Sequence, residues 1–195
     1  MALPQPKVPF SADDFLAWEA VQTVLHEHAD GEVFAMAGGE DQHASASGNL
    51  FAALHGHLKG SRCRAYMNDV KLQVPAAKVF FYPDVFVTCS ERDAASRLIQ
   101  QEPLLVVEVL SPSTAAYDRG DKFASYRLCP TLVEYAVVDT DRRAVDLFRR
   151  NADGLWVLHP CDGDQSLTLE CVTLTLPLGE LFADLEGTDH RAEVA

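Results

Sequence analysis

No stretch of this 195-residue chain approaches the length of a membrane span. Its opening, MALPQPKVPFSADDF, has none of the apolar core a secretory signal needs, so it reads as mature sequence. Cysteine is scarce and scattered: Cys63, Cys89, Cys129, Cys161 and Cys171 are odd in number and form no CxxC pair. That pattern argues against a disulfide framework and against a thiolate metal site, and reduced thiols in a cytoplasmic protein are the expectation. Basic residues are outnumbered, 16 Lys and Arg against 29 Asp and Glu, for a net charge of −13. Proteins that hold polyanions nonspecifically carry a basic surplus, because neutralised phosphates drive that affinity. A nucleic-acid role here therefore requires a local basic patch, a divalent metal or a partner protein. Internal repeats and low-complexity tracts are missing too.

What is present is a hydrophobic content of 48%, enough for one compact domain over residues 1–195 with its core at about 10–182. Ser11, with Asp14 three residues on, caps a first helix carrying Phe15, Trp18, Val21, Val24 and Leu25 at helical period. GEVFAMAGG reads as a strand after an Asp30-Gly31 turn. Residues 43–59 read as a helix lined by Ala46, Leu50, Ala53, Leu54, His57 and Leu58, with Gly60 at its C-cap. Strand signals follow at 63–67, 70–74, 80–88 and 104–110. A helix is expected at 117–128, ended by Pro130, then strands at 133–138, 144–149, 156–158 and 171–176, and a short helix at 178–185. The charged tract between Cys89 and Gln101 is a surface helix or a loop. The order predicts an α/β architecture, a mixed sheet with helices packed on it.

Chemistry is suggested by three stretches. FYPDVFVTCS puts Asp84 after Pro83 at a strand start or edge, where proline is tolerated. VVEVLS puts Glu108 inside an aliphatic strand, where a lone carboxylate is costly unless something offsets it. YDRGDKFASYR puts Lys122 on a helix with Asp118 and Tyr126 one turn to either side. Two acids on adjacent strands can converge on a hard cation such as Mg²⁺ or Mn²⁺, with the Val109 main-chain carbonyl as third ligand. A neighbouring lysine then orients a water or steadies charge on a phosphate. The inert alternatives are a turn-capping Asp84, a Glu108 paired to a structural arginine, and a surface ion pair of Lys122 with Asp118. His26 and His28 lack a third ligand at suitable spacing and read as surface residues. Arg142, Arg143, Arg149 and Arg150 alternate with apolar residues and read as a solvated hairpin face rather than a phosphate patch.

PDVFV, LVVEVLSPST, DRGDKFASYR and EYAVVD, in that order, resemble the successive signatures of the Uma-two family. HADGEVFAMAGGEDQHASASGNL is similar to the same family's hairpin and following helix. The resemblance spans roughly residues 10–181. It implies the PD-(D/E)xK restriction-endonuclease-like fold, with Asp84 as the PD aspartate and Glu108 as the acid of the ExK element. The lysine of that element is lacking, since Leu110 stands in its place. The resemblance assigns its role to Lys122, and makes His43 and Glu27 further site candidates, with Glu32 and Glu40 as competitors for the latter. It also implies DNA as substrate, Mg²⁺ or Mn²⁺ as cofactor, and a homodimer whose two sites address two strands. Two functions follow from this reading: a metal-dependent endonuclease, or a non-catalytic binding or oligomerisation module that keeps the fold.

Overall fold

The computed structural model describes residues 11–29, 31–36, 40–112 and 114–185. Asp30 of the expected turn, Ala37 to Gly39, and the two tails lie outside the described residues. In chain order the elements are α1 (Ala12–Glu19), β1 (His26–Ala29), β2 (Glu32–Ala35), α2 (Asp41–His57), β3 (Arg64–Met67), β4 (Lys71–Val74), β5 (Val79–Phe81) and β6 (Val85–Thr88). Next come α3 (Glu91–Ala95), β7 (Ile99–Gln100), β8 (Pro103–Val109), α4 (Ala115–Tyr117), a π turn (Asp118–Lys122) and α5 (Phe123–Tyr126). The chain continues through β9 (Glu134–Asp139), β10 (Ala144–Arg150), β11 (Trp156–Cys161), β12 (Ser166–Leu169), a 3-10 turn (Glu170–Val172), β13 (Leu174–Pro177) and α6 (Leu178–Leu181).

Three sheets form. The largest has the order β11-β10-β9-β8-β6-β3, the second β2-β1-β5-β4-β7, and β12 pairs with β13. In the large sheet β8 and β9 are parallel, joined by the α4–π–α5 crossover, whereas β6 runs antiparallel to β8. The expected single strand over 80–88 is divided: β5 belongs to the second sheet and β6 to the large one. Pro83 explains the break, since it has no amide hydrogen for a ladder, and the chain crosses between sheets there. Asp84 is thereby left at the crossover, immediately before β6.

Each face of the large sheet carries a core. Val85, Val87, Val107, Val109 and Val138 pack with Leu50 and Leu54 of α2 and with Leu167, Leu176 and Leu181. Phe86, Val106, Tyr135 and Val137 face the other way, toward Leu72, Val74 and Phe81 of the second sheet and Phe123 and Tyr126 of α5. Strand alternation thus sends Glu108 to the second face, between two layers of aromatic and aliphatic side chains.

Several local expectations hold. Ser11 Oγ accepts the Asp14 amide as an N-cap, and Gly60 adopts φ +82° just past α2. Others are corrected. Helix α1 stops at Glu19, so Val21 and Val24 are exposed rather than part of its apolar face. Leu128, beyond α5, is also exposed. The 89–101 tract holds the helix, α3, and then a short strand, β7, that neither alternative included. Strand β12 carried no signal strong enough to be anticipated. His26 and His28 are buried, not surface residues, because α1 covers the β1–β2 hairpin: His28 stacks on Phe15 at 5.1 Å and His26 meets Trp18 edge-on at 4.6 Å. Arg149 is half-buried and pairs with Glu134 at 2.7 Å, while Arg143 donates to the Phe182 and Leu185 carbonyls. The reduced-thiol expectation fails for two cysteines. Arg64 pairs with Thr88 across β3 and β6, so Cys63 and Cys89 flank that pair with Cα atoms 4.0 Å apart, and they are disulfide-bonded. Cys129, Cys161 and Cys171 are free thiols. Among the described residues, no helix is long and apolar enough to cross a membrane.

Candidate active site

Glu108 is 2% exposed, and burying its charge costs several kcal/mol unless partners offset it. Those partners come from two helical turns. Tyr126, the last residue of α5, donates its hydroxyl to Glu108 Oε1 at 2.8 Å. Lys122 Nζ lies 3.1 Å from the same oxygen, 2.9 Å from Glu27 Oε1 and 3.7 Å from Asp118 Oδ1. Its ammonium also stands over the Phe81 ring at 5.4 Å. The inert reading of Lys122 as a surface ion pair is therefore excluded: the side chain is buried and touches three carboxylates.

The π turn makes this possible. A turn closed i→i+5 is wider than α and is seldom stable without outside contacts. Tyr135 of β9 donates its hydroxyl to the Asp118 carbonyl at 2.8 Å, and its ring stacks on Phe123 at 4.5 Å. The turn is thus tied to the sheet where Asp118 and Lys122 face inward.

Asp84 sits beside this group. Its Oδ2 accepts the Val109 amide at 2.7 Å and lies 3.2 Å from His43 Nε2, which α2 presents from its first turn. The Asp84 amide approaches Glu108 Oε2 at 3.5 Å. Glu27 of β1 accepts the Tyr82 amide at 3.2 Å, so the hairpin carrying it is fixed against the Pro83 crossover. Beyond His43 the surface opens into a cleft of about 110 Å³, bordered by Glu40, Leu110, Asp139 and Asp141.

Asp84, Glu108, Lys122, His43 and Glu27 are all brought together. Glu40 borders the cleft instead. Sequence reasoning noticed Asp118 and Tyr126 as neighbours of Lys122 but did not count them as site members. Their four-residue spacing around Lys122 was the available signal.

Negative charge is in excess here. Burial pushes the Glu108 carboxyl well above the carboxylate range, and Lys122 only partly offsets burial and the acids Asp84, Asp118 and Glu27. Burial likewise raises Asp118, with Lys122 and the Thr114 hydroxyl opposing. For Lys122 burial acts downward, yet Glu108, Glu27 and Asp118 together outweigh it and raise the ammonium. The two directions look contradictory for an ion pair. They agree once counted as a cluster, because one ammonium cannot neutralise several carboxylates. His43 is raised by its hydrogen bond to Asp84, against burial, with help from the Val109 main chain. Among the described residues, no three His, Cys, Asp or Glu side chains converge in metal-ligand geometry. The oxygens at hand are two carboxylates and main chain.

Comparison with known proteins places the chain by family and fold. The Uma2 family model, described as "Putative restriction endonuclease", matches residues 12–179. An uncharacterized Synechocystis protein, slr1290, is 37% identical over 183 residues, covering 92% of this chain and 96% of its own. A second from the same organism, sll1609, is 29% identical over 158 residues, covering 80% and 89%. A crystal structure from Anabaena variabilis, described as "a putative nuclease belonging to DUF820", matches with a TM-score of 0.72 over 89% of this chain and 98% of that one. At 18% identity that likeness is one of fold, and it agrees with the mixed α/β architecture expected from the sequence. With its signature residues gathered on this fold and the family model spanning most of its length, the chain belongs to the Uma2 family of restriction-endonuclease-like proteins.

Proposed function

We propose that this protein is a divalent-metal-dependent endonuclease that hydrolyses phosphodiester bonds of DNA. One observation carries the reading: a buried ammonium, Lys122, held among Glu27, Glu108 and Asp118, with Asp84 alongside. A structural core has little reason to bury so much uncompensated negative charge. A site that takes up a cation does.

The donor chemistry fits Mg²⁺ or Mn²⁺. His43 Nε2 lies 3.2 Å from Asp84 Oδ2, which also accepts the Val109 amide, so these groups meet at Asp84. Carboxylate and carbonyl oxygens are the ligands that hard cations prefer, with water completing the shell. Asp84, Glu108 and the Val109 carbonyl would hold the ion, which would supply Lewis-acid polarisation of a phosphoryl oxygen and activation of a water. Lys122 is the group to orient the attacking water or to meet charge building on the phosphate. Glu27 anchors its ammonium meanwhile, and His43 holds a proton beside Asp84. We further propose that two copies act together, one per strand, as the resemblance implies.

The test is a plasmid-nicking assay in Mn²⁺ with calorimetric Mn²⁺ titration. Asp84→Asn and Glu108→Gln should each lose Mn²⁺ binding with the fold retained. Lys122→Ala should keep Mn²⁺ binding and lose cleavage. Lys122→Arg should rescue poorly, because a planar fork does not reproduce a compact ammonium. Cleavage surviving in Lys122→Ala would sink the migrated-lysine role. Leu110, standing where the superfamily carries lysine, favours a second reading as a non-catalytic binding module. Wild type that neither binds Mn²⁺ nor nicks any substrate would establish that second reading.

A further inference from the structure

The two oxygens of Glu108 are not equivalent. Oε1 receives both the Tyr126 hydroxyl at 2.8 Å and the Lys122 ammonium at 3.1 Å. Oε2 has the long 3.5 Å approach of the Asp84 amide, on the side where the second carboxylate stands. Nor can the phenol swing away. Tyr126 is fully buried, its ring edge-on to Phe81 at 5.1 Å and tilted against Tyr135 at 5.7 Å.

We infer that Tyr126 is a positioning residue that sets which cation the site prefers, by withholding one oxygen of Glu108 from it. The inference rests on the metal-site reading proposed above. A carboxylate with one oxygen held by a phenol offers the other alone. Mg²⁺ suits that offer, since it demands near-octahedral geometry with short bonds and binds through one or two carboxylates plus water. Ca²⁺ is larger, takes six to eight oxygens and readily grips both oxygens of one carboxylate. Removing the phenol hydroxyl therefore frees Oε1 in part and lowers the penalty against the larger ion. The Lys122 contact remains, so discrimination is reduced rather than abolished. Tyr126 touches no reacting atom in this scheme and acts through Glu108.

The experiment is competition of Mg²⁺ and Ca²⁺ against Mn²⁺, read by electron paramagnetic resonance on purified full-length protein. Wild type should prefer Mg²⁺. Tyr126→Phe should reduce the Mg²⁺-over-Ca²⁺ affinity ratio by roughly fivefold, the net scale of one ordinary hydrogen bond, since the Lys122 contact still holds Oε1. A second pair separates donor from shape, and also serves if Tyr126→Phe folds poorly. At position 126, 4-aminophenylalanine keeps a para donor and should restore the ratio, whereas 4-methylphenylalanine fills the same space without a donor and should not. A merely structural role would lower thermal stability in these variants without changing the ratio. An unchanged ratio in Tyr126→Phe and in 4-methylphenylalanine, with Mn²⁺ still bound, overturns the inference and leaves the metal site standing. Wild type that binds no divalent ion overturns both.

Discussion

Glu108 shows how a single residue can be costly and useful at once. Its carboxyl is raised by burial first and by Asp84, Asp118 and Glu27 next, with Lys122 opposing. A carboxyl whose folded pKa lies above its ordinary 4.5 binds more protons folded than unfolded. Its contribution to stability then falls as pH rises from 4.5 toward the folded value. Glu108→Gln removes that slope, while the amide oxygen still accepts from Tyr126. In the absence of metal, the variant should therefore gain on wild type through this window and unfold at higher urea near neutrality, by about 1 kcal/mol. Urea titrations at a series of pH values check it. A difference that shrinks with rising pH would show that Lys122 neutralises Glu108 more fully than its neighbours oppose it. His43 belongs to the same scale: its hydrogen bond to Asp84 raises the imidazole, against the opposing effect of burial.

At the scale of the element, the decisive piece is the crossover from β8 to β9. An ordinary α-helix was expected over 117–128, and the structure has a π turn at Asp118–Lys122 between two short α segments. Periodicity could not reveal it, because Asp118, Lys122 and Tyr126 share a face under either reading. The turn is held from outside, by the Tyr135 hydroxyl on the Asp118 carbonyl and by Phe123, which stacks on Tyr135 and leans tilted against Phe148. Tyr135→Phe removes the hydroxyl that donates to the Asp118 carbonyl, at a cost of about 1 kcal/mol. Amide exchange by mass spectrometry should then rise selectively over residues 115–126, with β9 itself little changed. Protection lost evenly across the large sheet would mean that Tyr135 serves the core rather than the turn. A second element-scale lesson lies at Pro83. One apolar run became two strands in two sheets, and the acid at the break gained its place beside Glu108.

For the molecule as a whole, the edge strand β3 is secured by a link that composition argued against. Cys63 and Cys89 lie 26 residues apart, and closing a loop of that length restricts the unfolded chain by about 3 kcal/mol. Alkylation of the denatured protein without reductant should label three of the five cysteines, namely Cys129, Cys161 and Cys171. Labelling of all five would refute the link. Cys63→Ser should lower the unfolding midpoint to match that of the reduced protein. Much about this protein was legible in its residues alone. Buried strands announced themselves as aliphatic runs, Gly60 marked the end of α2, and Asp84, Glu108 and Lys122 appeared in a recognisable order. These are local properties, set by propensity, periodicity and the cost of burying a lone charge. What no local reading supplied was anything fixed by contacts distant in sequence. The β3–β6 register joined two cysteines that spacing had left unpaired, and α1 folding over the β1–β2 hairpin buried His26 and His28. The meeting of Glu27, Asp84, Glu108 and Lys122 was likewise decided only when two sheets and a π turn packed together, because proximity across a core depends on pairing and packing rather than on spacing along the chain.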